Sequence, residues 1–294
     1  MKSGLVAVVG RPNVGKSTLV NRLVGSKVSI TSTRPQTTRS TIRGVVHGPE
    51  QEYQIVLLDT PGLHKPRAEI GHRLNRLVYG SLAEADVILF LLDANQPIGP
   101  GDRRLAERVV LAPAPVVVGV NKTDRARPGA VADQLAEASA WNLAAYVPIS
   151  ATTGAGFENL LTELVSQLPE GPALFPPELV TDQAEEFLIG EIVREKFLDR
   201  LHEELPHSLL VRVTAIEEES ELLRIEADVL VERDSQKGIV IGKGADLLKA
   251  AGSEARQELE AKFGIQVHLE LRVRVEADWQ RRPQLLDRLG FPPA

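Results

Sequence analysis

Gly10-Arg11-Pro12-Asn13-Val14-Gly15-Lys16-Ser17 is the stretch that decides how this chain is read. It matches G-x-x-x-x-G-K-[S/T], and its flanks supply the context that pattern needs. Before it, residues 5–9 form a short apolar run closed by Gly10, as in a buried strand. After it, residues 16 to about 25 read as a helix. The glycines let the backbone curl so that N–H groups face phosphate oxygens, and the helix N-terminus adds partial positive charge. Val14, Gly15, Lys16, Ser17 and Thr18 are therefore candidate phosphate-binding residues. Lys16 reaches the β- and γ-phosphates in such a loop, and the Ser17 hydroxyl is placed to ligate Mg²⁺.

Working outward, apolar strands alternate with helices. Residues 41–47 and 53–59 read as a strand pair around the turn His47-Gly48-Pro49-Glu50. Strands follow at 87–93, 116–120 and 145–149, with helices at 71–84, 103–111, 129–141 and 157–168. This alternation predicts an α/β domain over 1–168, its mostly parallel sheet covered by helices. Residues 169–177 are dense in Pro and Gly, and 169–184 reads as a semi-rigid linker. A second, α+β module is expected over 185–294. It holds a helix at about 184–204 ended by Pro206, strands at 209–216 and 222–231, a helix at about 246–263 and a strand at 265–275.

Composition bounds the class. The chain has 294 residues, 43% hydrophobic and 25% charged, ordinary for a folded protein of two domains. It has no cysteine, which excludes disulfides, zinc–thiolate sites, Fe–S clusters and a Cys nucleophile. The longest strongly apolar run, residues 87–92, is too short to span a membrane. The net charge of −6, taken alone, argues against nucleic acid as a partner. That charge is uneven: +1 over residues 1–184 and −7 over 185–294.

Two more segments bear on the ligand. Asp59-Thr60-Pro61-Gly62 ends a predicted strand. There Asp59 can hold Mg²⁺ through water, and the Gly62 N–H can sense a γ-phosphate. Asn121-Lys122-Thr123-Asp124 follows the strand 116–120 and puts a carboxylate where a base would lie. Guanine offers N1–H and N2–H₂ on one edge, and a carboxylate can accept both; adenine has no such pair there. Asp124 is the expected guanine selector, Asn121 the brace of the loop, and Lys122 lies along the base. The backbone at Ser150-Ala151 can meet the guanine O6.

With these motifs in order, residues 1–168 resemble a translation-factor-type GTPase domain. Gly10 to Ser17 together with Gln36-Thr37-Thr38-Arg39 resembles the Era group more narrowly. The resemblance implies that a switch-loop Thr binds Mg²⁺ in the GTP state; Thr37 and Thr38 are both offered, and Thr38 is favoured. The metal set is then Ser17, Thr38 and Asp59. The residue after Asp-Thr-Pro-Gly is Leu63, which cannot orient water as a Gln does. The resemblance implies a monovalent cation instead, held partly by Asn13, and hence slow, K⁺-stimulated hydrolysis of GTP to GDP. Lys16, Thr38, Gly62 and Asn13 form the expected catalytic set.

Val240-Ile241-Gly242-Lys243-Gly244-Ala245 and the following helix resemble the loop of a type II KH domain. Small residues there let phosphates approach N–H groups, clamping about four nucleotides. Lys237, Gly242, Lys243, Gly244 and Lys249 are the expected RNA-binding residues. The local lysines outweigh the module's net charge within a Debye length of about 8–10 Å. Ala245 stands where the family has a second glycine, which restricts φ. The alternation alone makes 238–241 a strand; the resemblance makes it a short helix. The resemblance also implies small-subunit ribosomal RNA bound near its 3′ end, a role in assembly of the 30S subunit, no DNA, a monomer and a cytoplasmic location. Three alternatives stay open. One is a tRNA-modifying GTPase, which the missing cysteine disfavours. Another is a GTPase peripheral to the inner face of the cell membrane, with residues 281–291 as its contact. The third is an RNA-binding module that GTP merely locks.

Overall fold

The computed structural model describes residues 1–291 apart from 33, 35, 36, 64, 65 and 67. Gln36 of the switch-loop motif thus lies outside the described residues. Two compact units emerge. The first comprises Met1–Ser29, Pro35–Arg67 and Gly71–Asp182; the second comprises Ile30–Arg34, Ala68–Ile70 and Gln183–Ala294.

The first unit is a six-stranded sheet: β1 (Lys2–Gly10), β2 (Ile42–His47), β3 (Tyr53–Asp59), β4 (Val87–Asp93), β5 (Val116–Asn121) and β6 (Ala145–Pro148). Its spatial order is β2-β3-β1-β4-β5-β6, parallel except for the antiparallel edge pair β2–β3. Every residue of β4 is buried, as expected of a central strand covered on both faces. The helices are α1 (Lys16–Val24), α2 (Glu69–Glu84), α3 (Pro100–Val110), α4 (Ala130–Ser139) and α5 (Phe157–Gln167). Helix α3 starts three residues before its predicted start, because Asp102 accepts the Gly99 N–H at 2.9 Å and Pro100 suits a first turn. From β1 the chain builds first one side of the sheet (β2, β3) and then the other (β4, β5, β6), so a crevice opens beyond the carboxyl end of β1.

Residues 169–182 are anchored along this sheet rather than hanging free. Ser3 donates to Pro169 O and Val45 to Val180 O through their amides, and the Gln54 side chain bonds the Phe175 N–H and C=O. An Arg43–Asp182 ion pair of 2.7 Å lies near the end of the segment.

The second unit packs α6 (Glu185–Leu198) and α9 (Asp246–Phe263) on a three-stranded sheet. Strand β8 (Leu222–Val231) lies between antiparallel β7 (Leu210–Glu219) and parallel β9 (Gln266–Val275). Short helices α7 (Leu205–Ser208), α8 (Asp234–Ile241) and α10 (Pro283–Arg288) complete it. One expectation is met and one needs correction. Residues 238–241 are the end of helix α8, as the resemblance implied, not a strand: Gln236 Oε1 accepts the Glu232 and Arg233 N–H groups and starts the helix. Helix α6 ends at Leu198, not near 204, and Pro206 lies inside α7. Arg200 bonds the Lys196 carbonyl and Arg34 the Leu198 carbonyl, so side chains close the helix end. The acidic run Glu217 to Glu219 is exposed where β7 turns into β8.

Candidate nucleotide and RNA sites

The carboxyl ends of β1, β3, β4 and β5 meet at the crevice. Gly10 has φ +158°, Gly15 +101° and Asn13 +64°, so the loop from Gly10 to Ser17 curls through left-handed backbone. Asn13 tolerates that region better than most residues. A Cβ on Gly15 would run into Asn121 Nδ2, so only glycine fits. The Lys16 ammonium is buried and bonds the carbonyls of Gly10 (3.2 Å) and Arg11 (3.1 Å). Burial lowers its pKa to about 8, with the Asp59 carboxylate pulling the other way.

Ser17, Thr38 and Asp59 converge. Ser17 Oγ donates to Asp59 Oδ2 at 2.7 Å and lies 3.0 Å from Thr38 Oγ1, itself 3.4 Å from Asp59 Oδ2. Burial raises the Asp59 pKa against its hydrogen bonds and the Lys16 charge. Its other oxygen, Oδ1, is buried with no hydrogen-bond partner among the described residues. Two hydroxyls beside a carboxylate with a spare lone-pair set are hard oxygen donors that fit Mg²⁺. Thr60 donates to Val8 O at 2.8 Å, and a Cβ on Gly62 would lie 3.0 Å from Pro12 N, so the loop after β3 lies against the loop after β1. Leu63 packs on the core.

On the far side, Asn121 is buried and bridges two loops. Its Nδ2 donates to Val14 O at 2.7 Å, and its Oδ1 accepts the Ala151 N–H at 2.9 Å. Lys122 reaches Asn13 O and Asp93 Oδ2, each at 2.6 Å. Asp124 accepts the Ser150 hydroxyl at 2.6 Å, which aims one face of the carboxylate.

In the second unit, Gly242, Lys243, Gly244 and Ala245 join α8 to α9. Gly242 and Gly244 have φ +77° and +63°, and Ala245 takes +66°. A Cβ on Gly242 would lie 2.9 Å from Leu247 N. Lys243 and Lys249 are exposed, Lys249 bonding Gly244 O at 3.3 Å, and Lys237 is half-buried.

Two family models match this chain: a 50S ribosome-binding GTPase over residues 5–122 and a KH domain over 204–280. The GTPase Era of Mycolicibacterium smegmatis is 48% identical, the match covering 99% of both chains. The chain belongs to the Era family of GTPases. Another Era, from Mycobacterium sp. strain KMS, is 49% identical over the same shares. Two solved Era structures each superpose with a TM-score of 0.95 at 41% identity, covering 99% of both chains. One is an Aquifex aeolicus Era variant bound to GDP·AlF₄⁻. The other is an Era complex with MgGDPNP and nucleotides 1506–1542 of 16S ribosomal RNA.

Era membership displaces the tRNA-modifying alternative. It also corrects the inference from net charge, since the KH match falls in the half that carries −7. Sequence reasoning missed three residues that brace these loops. Asp93 holds Lys122, and the Gln134 amide in turn bonds Asp93 O at 2.6 Å. Asp102, buried under α3, anchors Arg11 of the phosphate loop at 2.8 Å. Asp93 closes an all-apolar strand, which is a readable signal; Asp102 and Gln134 sit on helices and carry none.

Proposed function

We propose that this chain is a Mg²⁺-dependent, K⁺-stimulated GTPase that binds the 3′ end of 16S ribosomal RNA and assists assembly of the 30S subunit. The single observation that carries the nucleotide half is the convergence of Lys16, Ser17, Thr38 and Asp59 at one strand edge. Val14, Gly15, Lys16 and Thr18 hold phosphates through backbone and ammonium groups. Ser17, Thr38 and Asp59 are the residues that would hold Mg²⁺, which offsets charge developing on the phosphates. Asp124 selects guanine, oriented by Ser150; Asn121 and Lys122 keep the base loop against the phosphate loop, and the Ala151 backbone meets O6. Gly62 offers its N–H to the γ-phosphate. Leu63 has no group to orient water, so the Asn13 amide, exposed at the loop, is the proposed K⁺ partner. The relative solved with 16S RNA supports the second half, with Lys237, Gly242, Lys243, Gly244 and Lys249 as the groove. A monomer in the cytoplasm is the working state. No helix among the described residues is long and apolar enough to cross a membrane.

GTP turnover in matched K⁺ and Na⁺ buffers tests the first half. Faster turnover in K⁺, lost in Asn13→Ala, is expected; equal rates in both salts reject the cation role. Lys243→Glu is expected to weaken RNA binding and leave GTP affinity unchanged. RNA affinity unaffected by that change removes the KH loop from the reading.

A further inference from the structure

Outside both sites, three arginines surround one cavity of about 470 Å³. Arg281, Arg282 and Arg288 line it together with Leu285 and one carboxylate, Glu276. All three arginines are exposed, and none of their guanidinium groups has an ion-pair partner among the described residues. The sheet of the same unit shows the opposite pattern. On the sheet, Arg212 and Arg274 flank Asp228, Arg224 meets Glu219, and Arg272 meets Glu226 and Glu270. The lining of this cavity thus carries three arginines against one carboxylate, in a unit whose net charge is −7.

The segment is also held firmly. Trp279 is fully buried, donates its indole N–H to Ser208 O at 2.9 Å and stacks on Phe291 at 5.8 Å. Leu286 and Phe291 are buried as well. Trp279, Leu286 and Phe291 are buried and Leu285 is half-buried at the cavity, so the segment presents little apolar surface as a wedge for a bilayer. The cavity lies where β8 ends. Glu276 N–H bonds Val231 O at 2.8 Å, and Gln280 N–H bonds Glu232 Oε1 at 3.3 Å. Helix α8 begins at Asp234, and its eight residues carry the chain about 12 Å to the Gly242 loop.

We infer that this cavity is a second phosphate site, which takes backbone phosphates of the same RNA strand that the Gly242 loop grips. This rests on the RNA-binding reading above. A KH loop clamps about four nucleotides, whereas the RNA held by the solved relative runs from nucleotide 1506 to 1542. Such a strand carries phosphates far beyond the loop. Arginine forks suit phosphate through paired N–H···O bonds, and here they need break no ion pair to offer them.

The test measures binding of the full chain to two RNAs over a range of salt. One copies nucleotides 1506–1542; the other is a hexamer that fills the loop alone. Arg281→Gln with Arg288→Gln should weaken the long RNA about tenfold and make its salt slope shallower by about two, while the hexamer changes less than twofold. Arg281→Lys with Arg288→Lys should keep the salt slope, which separates lost charge from lost folding. Lys243→Glu should weaken both RNAs. If the glutamine pair leaves the long RNA unchanged while Lys243→Glu loses it, the cavity is not a phosphate site. Equal losses on both RNAs, or a loss seen only on phosphatidylglycerol vesicles, also overturn the inference. If the unmodified protein binds neither RNA, the KH reading fails and this inference with it.

Discussion

Lys16 shows how one residue's burial sets a measurable pH dependence. Its ammonium is buried against two carbonyls, and burial lowers its pKa to about 8. Bound phosphates restore the charged form. Between the free and bound pKa values the nucleotide complex therefore holds more protons than the free protein, so binding takes up a proton. GTP affinity should be flat below pH 7.5 and fall between pH 8 and 9, by at most about tenfold per pH unit. Calorimetry at pH 8.5 in two buffers of different ionisation heat reads the uptake directly; no uptake rejects this sign. Ala245 makes a second case. At φ +66° it holds a conformation that costs an L-residue roughly 1–2 kcal/mol. Ala245→Gly should raise stability by about 1 kcal/mol or less, part of the gain being lost to a freer unfolded chain. Denaturant midpoints check this, and a lower midpoint in the glycine variant would show that the methyl contributes more than its strain costs.

At the scale of elements, the site is a set of strand ends held in register by short side chains. Asn121 joins the phosphate loop to the Ser150-Ala151 loop through two buried hydrogen bonds. Asn121→Ala leaves the Val14 carbonyl and the Ala151 N–H unpaired, a loss of about 1–3 kcal/mol. The drop should appear in the thermal midpoint without nucleotide; an unchanged midpoint would mean that the loops hold each other without it. These strand ends were legible beforehand, because each is an apolar run closed by Gly10, Asp59 or Asn121. The elements that the residue pattern alone misreads are misread for physical reasons. Leu198, Leu201 and Leu205 are all buried at spacings of three and four, so the helical period runs on past the point where α6 stops. The carbonyls at its end are taken up by Arg200 and by Arg34, far away in sequence. In α8, Gly-Ile-Val-Ile looks like a strand, yet only Val240 of the helix is buried and Ile239 is 55% exposed. Residues 169–182 have a linker's composition, but Gln54 and Val45 pin their backbone to the sheet.

At the scale of the whole molecule, one loop carries contacts of two kinds. Residues Ile30–Arg34 group with the second unit, where the Thr31 N–H bonds Glu195 at 2.8 Å and Ser32 bonds Asp199 at 3.1 Å. Four residues beyond Arg34, Thr38 sits with Ser17 and Asp59. Thr38 and Thr31 are seven residues apart in sequence, so a γ-phosphate proposed to reposition the one is proposed also to bias the contact that Glu195 makes with the other. If this stretch carries the coupling, GTP and GDP must bias RNA affinity by some factor, and RNA must bias nucleotide affinity by the same factor. Glu195→Ala removes the acceptor for Thr31 without touching the residues proposed to hold nucleotide or RNA. It should leave the GTP affinity of the RNA-free protein within about twofold. The ratio of RNA affinities measured with a GTP analogue and with GDP should move toward one, by a factor within the roughly 5–150-fold range of allosteric couplings. A ratio that survives the change intact would place the coupling elsewhere in the chain. A ratio that falls together with RNA affinity in both nucleotide states would mean that Glu195 supports the RNA-binding unit itself rather than its response to GTP.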